Sequence, residues 1–155
     1  MDYIFPLANT LHALAAVIWV GGMFFAHQVL RPALGANEPP VRLGIWGRVF
    51  ARFFVWVWLA VIILPITGYA MVYGDFGSFE NAGMHVTVMH AIGWVMIALY
   101  LYLYVVPYGQ YRQAVKAEDW PRAGKILPII RRIVGTNLVL GLITIVVAVS
   151  GRFWG

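Results

Sequence analysis

Four long apolar runs decide what this chain can fold into. They cover about residues 7–30, 49–73, 84–106 and 129–150. Each holds roughly 20 residues, the length that carries a helix across ~30 Å of hydrocarbon. Hydrocarbon offers no water to backbone N–H and C=O groups, so only helices and closed barrels can span it. The runs lack the strict alternation of barrel strands. Four transmembrane helices are the expectation. Composition agrees: 62% of residues are hydrophobic and 11% charged, and mean hydropathy is +0.80. Soluble domains carry about 25% charged residues.

Prolines punctuate the runs. Pro6 stands in the first turn of the first span and Pro32 just beyond its end, both tolerated positions. The second span is expected to start early, near Pro39-Pro40, and to kink at Pro65. Pro107 should stop the third, and Pro128 should precede the fourth. Asp119-Trp120-Pro121 looks like a helix start, so a short interfacial helix is expected up to Leu127. With short loops, residues 1–155 read as one all-α domain, an integral membrane antiparallel four-helix bundle. Asp2 stands where a cleaved leader would carry basic residues, so no such leader is expected. The absence of cysteine excludes disulfides and thiolate metal sites.

Charge sets the orientation. Arg31, Arg42, Arg48 and Arg52 flank the first connection. Arg112, Lys116, Arg122, Lys125, Arg131 and Arg132 flank the third. Only Arg152 lies at the other end. The positive-inside rule places both basic connections in the cytoplasm and both termini on the outer, periplasmic side of a bacterial inner membrane. Anionic lipid accounts for the net charge of +5 without nucleic acid.

One face of the fourth span carries Asn137, Gly141, Thr144, Ala148 and Gly151, at steps of four and three. Small and mildly polar residues so arranged let helices approach and hydrogen-bond. Tyr100, Tyr104, Tyr108 and Tyr111 share a face of the third span. An interfacial aromatic belt is the expectation for them, and for Trp46, Trp56, Trp58 and Trp120.

Chemistry concentrates in Met84-His85-Val86-Thr87-Val88-Met89-His90, which opens the third span. Ionisable groups in membrane helices are costly and mark function by default. His12 lies five residues into the first span and His90 six into the third, ~7.5 and ~9 Å deep at 1.5 Å per residue. Both spans run in the same direction, so these two imidazoles are at matched depth on separate helices. That is the arrangement that holds a haem b through two axial histidines. Ala16 and Gly93 supply small neighbours, and Arg152 is the cation at that end for a propionate. His85 points about 140° away from His90 at 100° per residue and serves as neighbour or substitute ligand. Electron transfer or a haem-linked oxidation would follow, with a quinone or another redox partner. Two other readings stay open. Met84, His85, Met89 and His90 suit Cu(I), for which thioether and imidazole are good ligands. Alternatively there is no cofactor, and His12 and His90 bond polar partners such as Thr10, Thr67 or Thr87. His27, with Gln28, lies at the opposite end and reads as an interfacial polar pair. A homo-oligomer is compatible with all three readings.

The residues Leu11-His12-Ala13-Leu14-Ala15-Ala16-Val17-Ile18-Trp19-Val20-Gly21-Gly22-Met23-Phe24, with Thr67-Gly68, His90, Asn137-Leu138-Val139-Leu140-Gly141-Leu142 and Gly151-Arg152, resemble the CopD-like membrane family. That family also takes in the HemJ-type protoporphyrinogen oxidases, and the resemblance covers essentially the whole chain. For copper-resistance members it implies copper transport in the inner membrane. For HemJ-type members it implies a four-helix haem b protein, whose first-helix histidine matches His12. That type carries a lysine in its third helix. The span here has none, and His90 stands in that region. For this chain the HemJ side of the resemblance therefore implies haem binding rather than protoporphyrinogen oxidation.

Overall fold

The computed structural model describes residues 4–154, apart from the side chains of Ile4 and Arg152. Helix α1 (Ile4–Phe24) runs into a π turn, Phe25–Leu30, and one further α turn, Arg31–Ala33. Helix α2 (Pro39–Met71) ends in a second π turn, Val72–Phe76. Helix α3 (Met84–Val105) is followed at once by α4 (Pro107–Lys116). Helix α5 (Trp120–Ser150) closes the chain with a 3₁₀ turn, Gly151–Phe153. Four of these helical stretches are long and apolar enough to cross a membrane: Phe5–Ala33, Pro39–Phe76, Met84–Lys116 and Trp120–Ser150. No strand occurs among the described residues.

The prolines behave less sharply than expected. The first span continues through Pro32, which stands in the first turn of its last α segment. The second does begin at Pro39, and it stays helical through Pro65. Pro107 does not end the third span. It breaks the ladder at Val106 (φ −97°, ψ −75°), and helix resumes as α4. Pro107 has no N–H to donate and its ring crowds the preceding turn, which accounts for a joint there. Pro128 lies inside α5, so the expected interfacial helix and the fourth span are one element. Its start is as read: the Asp119 carboxylate accepts from the Arg122 N–H at 3.1 Å, a side-chain cap on an orphan donor.

The backbone of α1 packs along α2, α3 along α5, and α1 also against α5. Helices α2 and α3 meet instead through rings. Phe54 stands edge-on to Tyr100, Tyr104 and Tyr108, with centroids 5.7, 6.0 and 4.7 Å away. Trp58 contacts Tyr100 and Tyr104 in the same way. Aromatic pairs favour this edge-to-face geometry. The belt reading therefore fails for Tyr100, Tyr108, Tyr111 and Trp46, all buried in the core. The Tyr100 hydroxyl donates to the Phe54 carbonyl at 3.1 Å, and that of Tyr111 to the Leu43 carbonyl at 2.8 Å. Each polar tip has thus found an acceptor inside the bundle, which removes the reason to stay at the interface.

The small-residue face of α5 is buried at Asn137, Gly141 and Gly151, while Thr144 is half-buried and Ala148 is exposed. A Cβ on Gly141 would meet Val20 and Met96. Asn137 donates to the Met96 carbonyl at 3.1 Å. The outward faces are apolar, with Val17, Ile66, Val105 and Val146 each more than 60% exposed. Such a coat is a liability in water and the natural contact of lipid acyl chains.

Candidate functional site

Three of the four histidines gather at one end of the bundle, where α1 begins, α2 ends and α3 begins. The His12 Nδ1 lies 2.8 Å from the Thr67 hydroxyl oxygen. That hydroxyl has one proton and gives it to the Ile63 carbonyl at 2.7 Å. Its oxygen can then only accept, so His12 donates from Nδ1–H and keeps the lone pair on Nε2. Gly68 gives the ring its space: a Cβ there would sit 3.4 Å from His12 Cε1. A histidine whose Nδ1–H is held in this way presents Nε2 in a fixed direction, as metal-binding histidines do.

His90 is engaged differently. The Trp94 indole N–H donates to its Nε2 at 3.0 Å, and the Tyr69 hydroxyl lies 2.8 Å from the same nitrogen. An indole can only donate, so Nε2 carries no proton and accepts from both groups. Phe79 packs against the ring at a tilt, with centroids 4.8 Å apart and planes at 55°. Trp94 stands four residues on from His90, a pairing readable from helical spacing alone. Tyr69 and Phe79 come from other parts of the chain, and no local signal announces them.

His12 and His90 thus bond residues of α2 only two positions apart, about 3 Å along its axis. Those positions, Thr67 and Tyr69, point some 160° apart around the helix. The rings share a level and lie on opposite sides of α2. Two axial ligands for one haem iron need both lone pairs turned into a common gap. Of the two rings, His12 has its Nε2 lone pair uncommitted, while that of His90 accepts from Tyr69 and Trp94. Ala16, expected to make room beside it, is partly buried, and a Cβ on Gly93 would meet nothing within 4 Å. The side chain of Arg152, the expected propionate cation, lies outside the described residues.

His85 is held by glycines. Its ring is 3.2 Å from where a Gly83 Cβ would be, and Gly83 has the left-handed φ of 82° that favours glycine. On its other side Gly151 comes so close that a Cβ there would overlap the His85 Cβ. Met84 is exposed, and Met89 stands one turn from His85 on nearly the same face. Among the described residues no three His, Cys, Asp or Glu side chains form a metal-holding group. A Cu(I) site would draw on methionine as well, so this end offers His85 and Met89, with Met84 next to His85 in the chain.

His27 lies in the π turn Phe25–Leu30 at the far end. Its Nε2 is 3.1 Å from the place of a Gly135 Cβ. It lines a cavity of about 530 Å³ together with Gln28, Arg31, Arg42 and Arg131.

No curated protein and no solved structure matches the chain. The family model described as copper resistance protein D matches residues 47–150. The matched segment holds Met84, His85, Met89 and His90, and it leaves out His12 and His27. It spans roughly two thirds of the chain, through the ends of all four helical spans but the first, and on that ground this multi-pass membrane protein belongs to the copper resistance protein D family.

Proposed function

We propose that the chain handles copper, as a transporter or carrier in copper resistance, and that it meets Cu(I) at the end of the bundle bearing Met84, His85 and Met89. One observation carries the reading: the family match encloses these residues. Chemistry supports it, because thioether and imidazole together favour Cu(I) over harder cations. The positive-inside rule supports an inner-membrane location with this end facing outward. The test is an anaerobic Cu(I) titration of the detergent-purified protein against a chromophoric chelator. Wild type should compete for about one equivalent. Met84→Leu with Met89→Leu should abolish competition while the fold persists, since leucine keeps the apolar volume. A wild-type protein that takes no copper from the chelator would defeat the reading.

Haem b is the second reading, supported by His12 alone. Its Nε2 is free to ligate and its Nδ1–H is held by Thr67, the usual outer support of a metal-bound histidine. His90 would first have to surrender its bonds to Tyr69 and Trp94. The residues present would supply one axial ligand on α1, and the bound group would supply electron transfer. A Soret band in the purified protein, lost in His12→Ala, is the result that would favour it over copper.

A further inference from the structure

The far end of the bundle presents a site that copper does not explain. Three guanidiniums line one cavity there, and they come from three different places: Arg31 after the π turn, Arg42 on α2 and Arg131 on α5. Like charges brought into one cavity repel, and the chain offers little to offset this. Arg42 donates to the carbonyls of Gly35 and Asn37, at 3.4 and 3.3 Å. Arg131 lies over the Trp46 ring at 5.6 Å. Two buried donors beside this cavity, Arg131 Nε–H and Trp46 Nε1–H, have no acceptor in the protein. Buried N–H groups are almost always paired, and leaving one unmade is costly. A narrower, apolar recess shares His27, Arg31 and Arg131 with the cavity and is lined by Trp46, Phe50 and Ile130.

General attraction to a charged membrane surface explains why basic residues lie at this end. It does not explain convergence of three arginines on one hollow, nor the buried Nε–H of one of them, Arg131, that lacks an acceptor. A phosphate group answers both. It is acceptor-only when ionised, and planar guanidiniums bind it through paired N–H donors. We propose that the cavity bounded by His27, Arg31, Arg42 and Arg131 is a binding site for a phosphate group. The phosphate belongs either to an anionic lipid headgroup, whose chain the apolar recess would receive, or to a small soluble phosphate.

The experiment uses the full chain in nanodiscs of neutral phosphatidylcholine, with thermal unfolding as readout. One arm adds phosphatidylglycerol to the bilayer. The other adds inorganic phosphate or pyrophosphate to the buffer. Stabilisation in the first arm identifies a lipid headgroup, and in the second a soluble phosphate. Either effect should weaken at least about tenfold in midpoint concentration in Arg42→Gln and in Arg131→Gln, the loss of one charged hydrogen-bonding partner. Arg131→Lys should recover part of it, which guards against a variant that merely misfolds. Arg112→Gln serves as control: it removes a charge that lies over Tyr108 at 5.9 Å, outside the cavity, and should leave the midpoint unchanged. No stabilisation in either arm, or equal weakening by Arg112→Gln, overturns the proposal.

Discussion

The Nδ1 of His12 and the hydroxyl of Thr67, 2.8 Å apart, tie the first transmembrane helix to the second. The Thr67 proton is already committed to the Ile63 carbonyl, so the bond has one direction only. Thr67→Val keeps the shape and removes the acceptor. It should lower stability by about 1 kcal/mol, the scale of interhelical hydrogen bonds in membranes, and Thr67→Ser should lose much less. Combined with His12→Phe the losses should fall short of additive, because both changes break one bond. Thermal unfolding in detergent measures all four variants. Full additivity would show that the bond contributes nothing.

Copper binding should respond to the groups that occupy His90. Tyr69→Phe with Trp94→Phe removes both donors to its Nε2 and frees the lone pair. If His90 can join the Met84, His85 and Met89 set, the affinity for Cu(I) in chelator competition should rise. An unchanged affinity would place His90 outside the copper site and give it a purely structural role.

Two glycines separate close packing from open space. Gly151→Ala sets a methyl group against the His85 Cβ, with both partners on or next to the main chain. Overpacking of this kind costs about 1–3 kcal/mol. Gly93→Ala meets nothing within 4 Å and should be neutral or stabilising by up to about 1 kcal/mol, the gain in helix propensity. Melting temperatures of the two single variants give the comparison. A Gly93→Ala variant less stable than Gly151→Ala would contradict the packing described for these helices.

Tyr111 offers a test of where the aromatic residues belong. It is fully buried and donates to the Leu43 carbonyl. Tyr111→Phe should cost about 1 kcal/mol for the lost bond. Tyr102, 54% exposed on the same span, should tolerate the same change without loss. Equal effects would mean that the hydroxyls act alike, as an interfacial belt requires.

Orientation is open to direct assay. A reporter fused after Gly155 or inserted near Gly77 should report the periplasm, and one near Ala36 or Glu118 the cytoplasm, from the distribution of arginine and lysine. A cytoplasmic C-terminus would place the methionine and histidine end inside the cell and reverse the sense of any copper movement.

The number and rough extent of the membrane helices were legible because hydrocarbon imposes a length on every span. The packing face of α5 was legible too, since Asn137 and Gly141 follow helical spacing and both lie in the interior. Proline was the weak signal. Pro107 breaks the ladder at Val106 and Pro128 lies inside α5, yet helix goes on beyond each, because in lipid only helix satisfies the remaining backbone groups. The histidines show the other limit. Helical rise fixes how deep His12 and His90 lie, and says nothing of how each helix is turned about its axis. That rotation decided that one ring would meet Thr67 and the other Tyr69. For Tyr100 and Tyr111, side-chain class suggested the interface, and only tertiary contact revealed carbonyl acceptors within the core.

The π turn at Phe25–Leu30 carries a consequence for the length of the chain. Its backbone bonds reach back five residues, as the Arg31 N–H does to the Ala26 carbonyl. The first helix therefore contains one residue more than an unbroken α-helix of the same pitch would use. Deleting one residue there, Val29 for instance, would let the ladder close to ordinary spacing without breaking the helix. What lies beyond would keep its orientation, because the π turn already takes up the extra residue. The same deletion in the regular stretch Ile4–Phe24 has no such slack: it would swing the rest of the helix by about 100° and carry Arg31 out of line with Arg42 and Arg131.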